Sequence, residues 1–127
     1  MIAADTSTWI AFLQGTAGQD VELLDRALED RQVLMAPVVL TEVLSDPKLP
    51  SDVAADLQEL PLIEFRDGCW RRAAELRARV LAGRRRARLG DALIAQSCLD
   101  RGISLLTRDR DFRAFAEAAG LDLLVER

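Results

Sequence analysis

The 127-residue chain predicts an α/β sandwich with a mostly parallel central sheet of four to five strands, with residues 1–127 read as one domain. Three observations carry the prediction. Apolar runs of three to five residues alternate with stretches of helical periodicity along the whole length. Gly, Pro, Ser, Thr or Asp stand at the junctions, where helices start and stop. Half the residues are apolar and 30% are charged, enough for one core at this size without disulfide staples.

The elements follow in order. Ile2-Ala3-Ala4 is a short buried strand ending at Asp5. Thr6-Ser7-Thr8 opens a helix carrying Trp9, Ile10, Phe12 and Leu13, which closes at Gly15. Val21, Leu24, Ala27 and Leu28 mark a second helix before a strand at Val33-Leu34-Met35-Ala36. Pro37, suited to a first helical position, starts a helix through about Leu44. Asp46 to Pro50 is a turn, and Ser51 is expected to cap a helix with Val53, Ala54, Leu57 and Leu60. Pro61 to Phe65 reads as a third strand, and Asp67 to about Ala82 as a long helix capped by Asp67. A loop from Gly83 to Gly90 precedes a helix opened by Asp91 and ended at Gly102. Ile103 to Thr107 is a fourth strand, Asp111 to Ala119 a last helix stopped by Gly120, and Leu121 to Val125 a final strand. Trp9, Phe12, Trp70 and Phe112 are expected in the core.

Composition removes several chemistries. There is no histidine, which excludes Ser-His and Cys-His nucleophiles, imidazole-based ribonuclease mechanisms and His-ligated zinc. Tyrosine is absent as well, and sixteen of the seventeen basic residues are arginine, leaving Lys48 alone in a proline-bounded turn. No Gly-rich GK[ST] loop exists to cradle a nucleotide. Cys69 and Cys98 cannot make a disulfide framework and suit a reducing compartment. Met1 to Asp5 lacks a basic n-region, and the longest dense apolar stretch, Val33 to Leu40, is eight residues, so a cytoplasmic protein without a membrane span is expected.

Charge is unevenly placed. From Arg66 to Gly90 nine arginines face Asp67 and Glu75, a local charge of +7, while the remainder of the chain carries −11. Arg84, Arg85, Arg86 and Arg88 are the densest part and are candidate phosphate contacts, although taken alone the segment is more simply a solvated helix face.

The remaining working groups are carboxylates at strand ends. In open parallel sheets ligands bind beyond the carboxyl ends of the strands. Asp5 directly follows the first strand, Asp109 lies two residues past the fourth, Asp91 stands at a helix N-terminus and Glu42 lies inside the helix after the second strand. Converging acids without histidine form a hard oxygen site suited to Mg²⁺ or Mn²⁺. Each acid has a plainer explanation. Asp5, Asp91 and Asp111 are also natural N-caps, each stabilising by about 1 kcal/mol, and Ser7 and Thr107 can bond locally. Glu42 is either on the solvent face of its helix or buried with a partner.

Taken together, Ala4-Asp5-Thr6-Ser7, Thr41-Glu42-Val43, Gly90-Asp91-Ala92-Leu93-Ile94-Ala95 and Leu106-Thr107-Arg108-Asp109-Arg110-Asp111-Phe112 resemble the PIN-domain family, and within it the VapC-type toxins of bacterial toxin–antitoxin systems. The resemblance covers nearly the whole chain in the family's order. It implies a PIN-like α/β/α sandwich in which Asp5, Glu42, Asp91 and Asp109 are catalytic and hold Mg²⁺, with Mn²⁺ as substitute. Ser7, Thr107 and Asp111 would be accessory polar groups. It further implies an endoribonuclease acting as a toxin on structured RNA, a tRNA or rRNA, through a cation-activated water. A homodimer and a small VapB-type antitoxin are the implied partners. The antitoxin would lie across an apolar groove, for which the Trp9–Phe12 helix and the helix after Ser51 are candidate walls. A DNA-directed nuclease and a PIN domain that binds RNA without cutting it remain the alternatives.

Overall fold

The computed structural model describes residues 1–124. Its elements are β1 (Ile2–Ala4), α1 (Thr6–Leu13), α2 (Gln19–Glu29), α3 (Pro37–Leu44), α4 (Ser51–Gln58), α5 (Cys69–Ala82), α6 (Leu89–Arg101), β2 (Ser104–Leu106) and α7 (Phe112–Ala119).

β1 and β2 pair in parallel, with Ile2 opposite Ser104, Ala3 opposite Leu105 and Ala4 opposite Leu106. The other expected strands are shorter than the sequence suggests and contribute single parallel bridges, Ile2 to Val33, Met35 to Leu62 and Leu105 to Leu123. The backbone bonds explain the brevity. Only isolated pairs such as Met35 N to the Pro61 carbonyl and Ile63 N to the Met35 carbonyl hold the outer segments (2.8 and 2.9 Å). The expected strand end at Val125 lies outside the described residues. Across the sheet the order is therefore the Leu62 segment, the Val33–Met35 segment, β1, β2 and the Leu123 segment.

The chain thus steps outward from β1 on one side and returns to the other side at β2, which makes the carboxyl ends of β1 and β2 the topological switch point. Right-handed crossovers then put the outward and returning helices on opposite faces. α1 packs on α2 and α3, α3 packs on α4, and α5, α6 and α7 pack on one another, while α3 and α6 meet across the two groups. Between these layers Trp9, Leu24, Met35, Ile63, Leu76, Ile94, Leu105, Phe112 and Phe115 are fully buried. No helix among the described residues is long and apolar enough to cross a membrane.

Helix boundaries correct several expectations. In α5 the buried stripe is Cys69, Ala73, Leu76 and Val80, so Trp70, one residue off it, points outward and is 60% exposed, leaning on Phe65 with ring centroids 4.7 Å apart. Phe12 is partly buried against the core and meets Trp9 edge-on. Gly68, at φ +82, precedes α5 in place of an Asp67 cap, and Pro50 precedes α4 with no side-chain cap from Ser51. α6 begins at Leu89, because Arg88 is the last extended residue, so Asp91 lies within the first turn and is not its cap. Asp111 occupies the cap position of α7, but its side chain makes no capping bond. Asp5 does cap α1, accepting from Thr8 N at 3.1 Å.

Candidate active site

The two central strands end side by side, and a short network ties their exits together. Asp5, 4% exposed, accepts on Oδ1 from Ser7 Oγ at 2.7 Å and from Thr8 N, and on Oδ2 from Thr107 Oγ1 at 2.7 Å. Thr107 Oγ1 also accepts from Asp109 N at 2.9 Å, and Asp109 Oδ1 accepts from Asp111 N at 2.9 Å. Ser7 Oγ also accepts from Arg108 N at 3.0 Å, so Ser7 and Thr107 join segments about a hundred residues apart, which purely local bonding does not account for. Burial pushes the Asp5 carboxyl above its ordinary range. The hydrogen bonds from Ser7, Thr107 and Thr8 work against that rise, and the nearby charge of Asp109 adds to it.

The tightest acid group is Asp91, Asp109 and Asp111, each offering a carboxylate oxygen within 4.8 Å of the others. Asp91 enters from the first turn of α6, and the other two from the loop between β2 and α7. Asp91 Oδ2 is buried and has no hydrogen-bond partner among the described residues. Its carboxyl is pushed up to about 6, by burial first and then by the charges of Asp109 and Asp5. Arg88 partly offsets this, and Glu42 adds to it. A buried, unsatisfied carboxylate oxygen on a residue grouped with two further acids is an expensive arrangement for the protein alone. The donor set, all hard oxygens without histidine, fits a divalent cation such as Mg²⁺ or Mn²⁺.

Glu42 is exposed on α3, where its Oε1 accepts from Thr6 Oγ1 at 2.6 Å. Of the two positions open to it, it takes the solvent face while its charge still reaches Asp91. Asp111 stands in the tight group, and Asp5 and Glu42 stand outside it. Thr6 is a site residue that the sequence pattern alone did not single out. Its place in the Asp5-Thr6-Ser7 run was the available signal.

The arginine tract divides. Arg86 Nη1 lies 3.9 Å from Asp111 Oδ2, and Arg88 Nη1 lies 3.9 Å from Asp109 Oδ2, so these two border the acids. Arg85 instead pairs with Glu117 on α7 at 2.7 Å, and Arg84 sits at a turn with φ +60. Ala87 is buried within the tract, and its carbonyl accepts from Arg77 Nε at 2.8 Å.

A groove of about 270 Å³ is lined by Ile10 and Leu13 of α1, Gln14 just after it, Glu42 and Val43 of α3 and the Asp46–Pro50 turn. Of the expected walls, α1 contributes through Ile10 and Leu13, because Trp9 is turned into the core. The turn stands where α4 was expected.

Fold and site define a class: an open α/β protein with a histidine-free carboxylate cluster at the sheet's switch point. The PIN domain model matches residues 2–118, and the chain belongs to the PIN domain family. It is 26% identical over 126 residues to Ribonuclease VapC5 of Mycobacterium tuberculosis, covering 94% of this chain and 91% of that protein. Among solved structures it superposes on VapBC-5 of the same organism, a member of the VapBC family of toxin–antitoxin systems (TM-score 0.69, 24% identity, 98% of both chains). VapBC2 of Rickettsia felis, solved bound to a DNA fragment from their promoter, superposes with TM-score 0.71 at 21% identity over 97% of both chains. FitAcB of Neisseria gonorrhoeae gives 0.70 at 19% identity over 98% of this chain and 97% of that one. At these identities the superpositions establish a shared fold.

Proposed function

We propose that this protein is the toxin of a cytoplasmic toxin–antitoxin pair, an endoribonuclease that requires Mg²⁺ or Mn²⁺ and cuts structured RNA such as a tRNA or rRNA. The observation that carries the reading is the grouping of Asp91, whose Oδ2 is buried and unpartnered among the described residues, with Asp109 and Asp111 at the switch point. The similarity to a named ribonuclease supports the choice of RNA.

Asp91, Asp109 and Asp111 would hold the cation, with Asp5 and Glu42 completing the acidic surround. When bound, such an ion supplies Lewis acidity that lowers the pKa of water and offsets charge on a phosphoryl group. The chain's own residues do the rest. Thr107 and Ser7 fix the Asp5 carboxylate, Asp5 and Thr107 set the loop bearing Asp109, and Glu42 is held by Thr6 where it can orient or accept a proton from an attacking water. Arg86 and Arg88 offer fork-shaped donors to RNA phosphates that an acidic pocket would otherwise repel. A VapB-type antitoxin would lay an apolar segment in the Ile10–Leu13–Val43 groove, beside Glu42, and block access to the acids. We assign the toxin a homodimeric state.

The test is cleavage of total RNA and of plasmid DNA by the antitoxin-free protein with Mg²⁺ and with chelator. RNA should be cut only with the cation, and Glu42→Gln and Asp91→Asn should abolish cutting. Cutting of DNA alone, or binding of RNA without cleavage in Mg²⁺ or Mn²⁺, overturns the proposal.

A further inference from the structure

The loop that carries Asp109 and Asp111 is held at a second place, remote from the acids. Arg108, between Thr107 and Asp109, reaches to α2, where its Nε donates to Asp20 Oδ2 at 2.7 Å and its Nη2 to Asp20 Oδ1 at 2.9 Å. The same Nη2 donates to the Ala17 carbonyl at 2.8 Å. Asp20 is 4% exposed and takes a further bond from Thr8 Oγ1 of α1 at 3.0 Å. Gly18 makes room for this arrangement. A Cβ there would lie 2.2 Å from Arg108 Nη2 and 2.5 Å from Asp20 Oδ1, so a side chain would evict the guanidinium. The backbone of Gly18 is extended, at φ 161, so space and not strain is what requires glycine.

The Arg108 side chain is committed to Asp20 and Ala17, while its main chain is part of the site's scaffold. Arg108 N donates to Ser7 Oγ at 3.0 Å, and Ser7 Oγ donates to Asp5. Its neighbours Thr107 and Asp109 make the bonds that tie the loop to Asp5 and lead on to Asp111. A planar guanidinium with two parallel bonds to one buried carboxylate fixes orientation as well as distance.

We propose that the Arg108–Asp20 pair, admitted by Gly18 and backed by Thr8, is a positioning clamp that sets the Thr107–Asp111 segment against Asp5. Its consequence for cation binding rests on the proposed function above. Its structural content does not. Removing the clamp leaves the loop tied by the Asp5, Ser7 and Thr107 side-chain bonds and by the turn bonds from Phe112 N and Arg113 N to the Asp109 and Arg110 carbonyls, without the link to α2, and small displacements of ligating groups are costly to metal affinity.

The experiment compares Gly18→Ala, Asp20→Asn, Arg108→Gln and Arg108→Lys with the unmodified protein in three measurements. These are amide hydrogen exchange, Mn²⁺ binding by calorimetry, and RNA cleavage resolved into kcat and KM, all well below each variant's melting temperature. Exchange at the Asp109 and Asp111 amides should quicken about tenfold, while amides within α6 change little. Mn²⁺ affinity should weaken by about 10-fold, the lower end for supporting groups of a metal site. The fall in cleavage should lie in kcat with KM unchanged. Arg108→Lys, which keeps the charge and loses the fork, should fall between. Unchanged exchange at Asp109 and Asp111 in the folded variants overturns the clamp, and a raised KM beside that unchanged exchange would make Arg108 an RNA contact. If the unmodified protein binds no Mn²⁺ and cuts no RNA, the proposed function fails, while quickened exchange in the variants still upholds the clamp.

Discussion

Replacing Asp91 by Asn tests the electrostatics of the acid group directly, because the substitution keeps the shape and removes the charge. In the folded protein the Asp91 carboxyl rises from 3.8 to about 6, through burial and then the charges of Asp109 and Asp5. One pH unit corresponds to about 1.36 kcal/mol, so the full rise is worth about 3 kcal/mol. The side chain is only partly buried, and solvent screening reduces this to about 1–2 kcal/mol. The sign follows from the direction of the shift. A carboxyl whose folded pKa is raised contributes stability that is complete below pH 3.8 and is lost as pH climbs through about 6. Asn never takes the charge. The cation-free Asp91→Asn protein should therefore be more stable than the unmodified protein at pH 7.5 by about 1–2 kcal/mol, or roughly 3–10 °C in Tm at this chain length. Below pH 4 that advantage should vanish. Mg²⁺ should offset this advantage, since ten times its Kd stabilises a binding-competent protein by about 1.4 kcal/mol, and should reverse the order at a hundred times its Kd, worth about 2.7 kcal/mol, because Asn forfeits a ligand. Thermal melts from pH 3.5 to 8, in chelator and in millimolar Mg²⁺, read all three. A mutant no more stable than the unmodified protein at pH 7.5 in chelator, or one whose advantage persists undiminished below pH 4, would refute the crowded-acid account.

Reversing Arg84, Arg85, Arg86 and Arg88 to Glu should weaken RNA binding and flatten its salt dependence, by about one unit of slope for each phosphate no longer bound. Arg86→Glu with Arg88→Glu should account for most of the change and Arg85→Glu for little, since Arg85 is committed to Glu117; equal effects would remove the distinction. With no histidine to recruit the RNA's own 2′-hydroxyl, the products should carry 5′-phosphate and 3′-hydroxyl ends, and cutting should survive 2′-deoxy substitution at the scissile position. End-labelling with Glu42→Gln as control decides this, and 2′,3′-cyclic ends that vanish in the control would contradict it. Leu76→Ala should cost about 2–5 kcal/mol in urea unfolding, whereas Trp70→Ser should cost far less, because Leu76 is fully buried and Trp70 is 60% exposed.

Much of this protein was legible in one dimension. The order of helices and strand segments, the Pro37 start of α3, the placing of Trp9 and Phe112 in the core and the histidine-free acid set are properties of near neighbours. Propensity, periodicity and turn chemistry are short-range sterics, and they act before any strand finds its partner. Absent residue types exclude chemistry whatever the fold does. What escaped that reading turned on offsets of one or two residues. Each step along a helix turns a side chain by about 100°, so starting α6 at Leu89 moved Asp91 from cap to first turn, and one step off the Cys69–Val80 stripe sent Trp70 outward.

Only the tertiary structure decided which acids meet. Asp5 and Thr107 are 102 residues apart in sequence, yet they share a hydrogen bond because β1 and β2 are neighbours in the sheet. The packing of α6 on β2 and α7 brings Asp91 to Asp109 and Asp111, while Glu42 on α3 bonds to Thr6. Equally invisible in sequence were the division of Arg85, Arg86 and Arg88 between Glu117 and the acids, and the reach of Arg108 to Asp20 past Gly18. These are contacts between groups that chain connectivity holds far apart. They form only when burial of the whole core closes the intervening loops, so no local pattern records them.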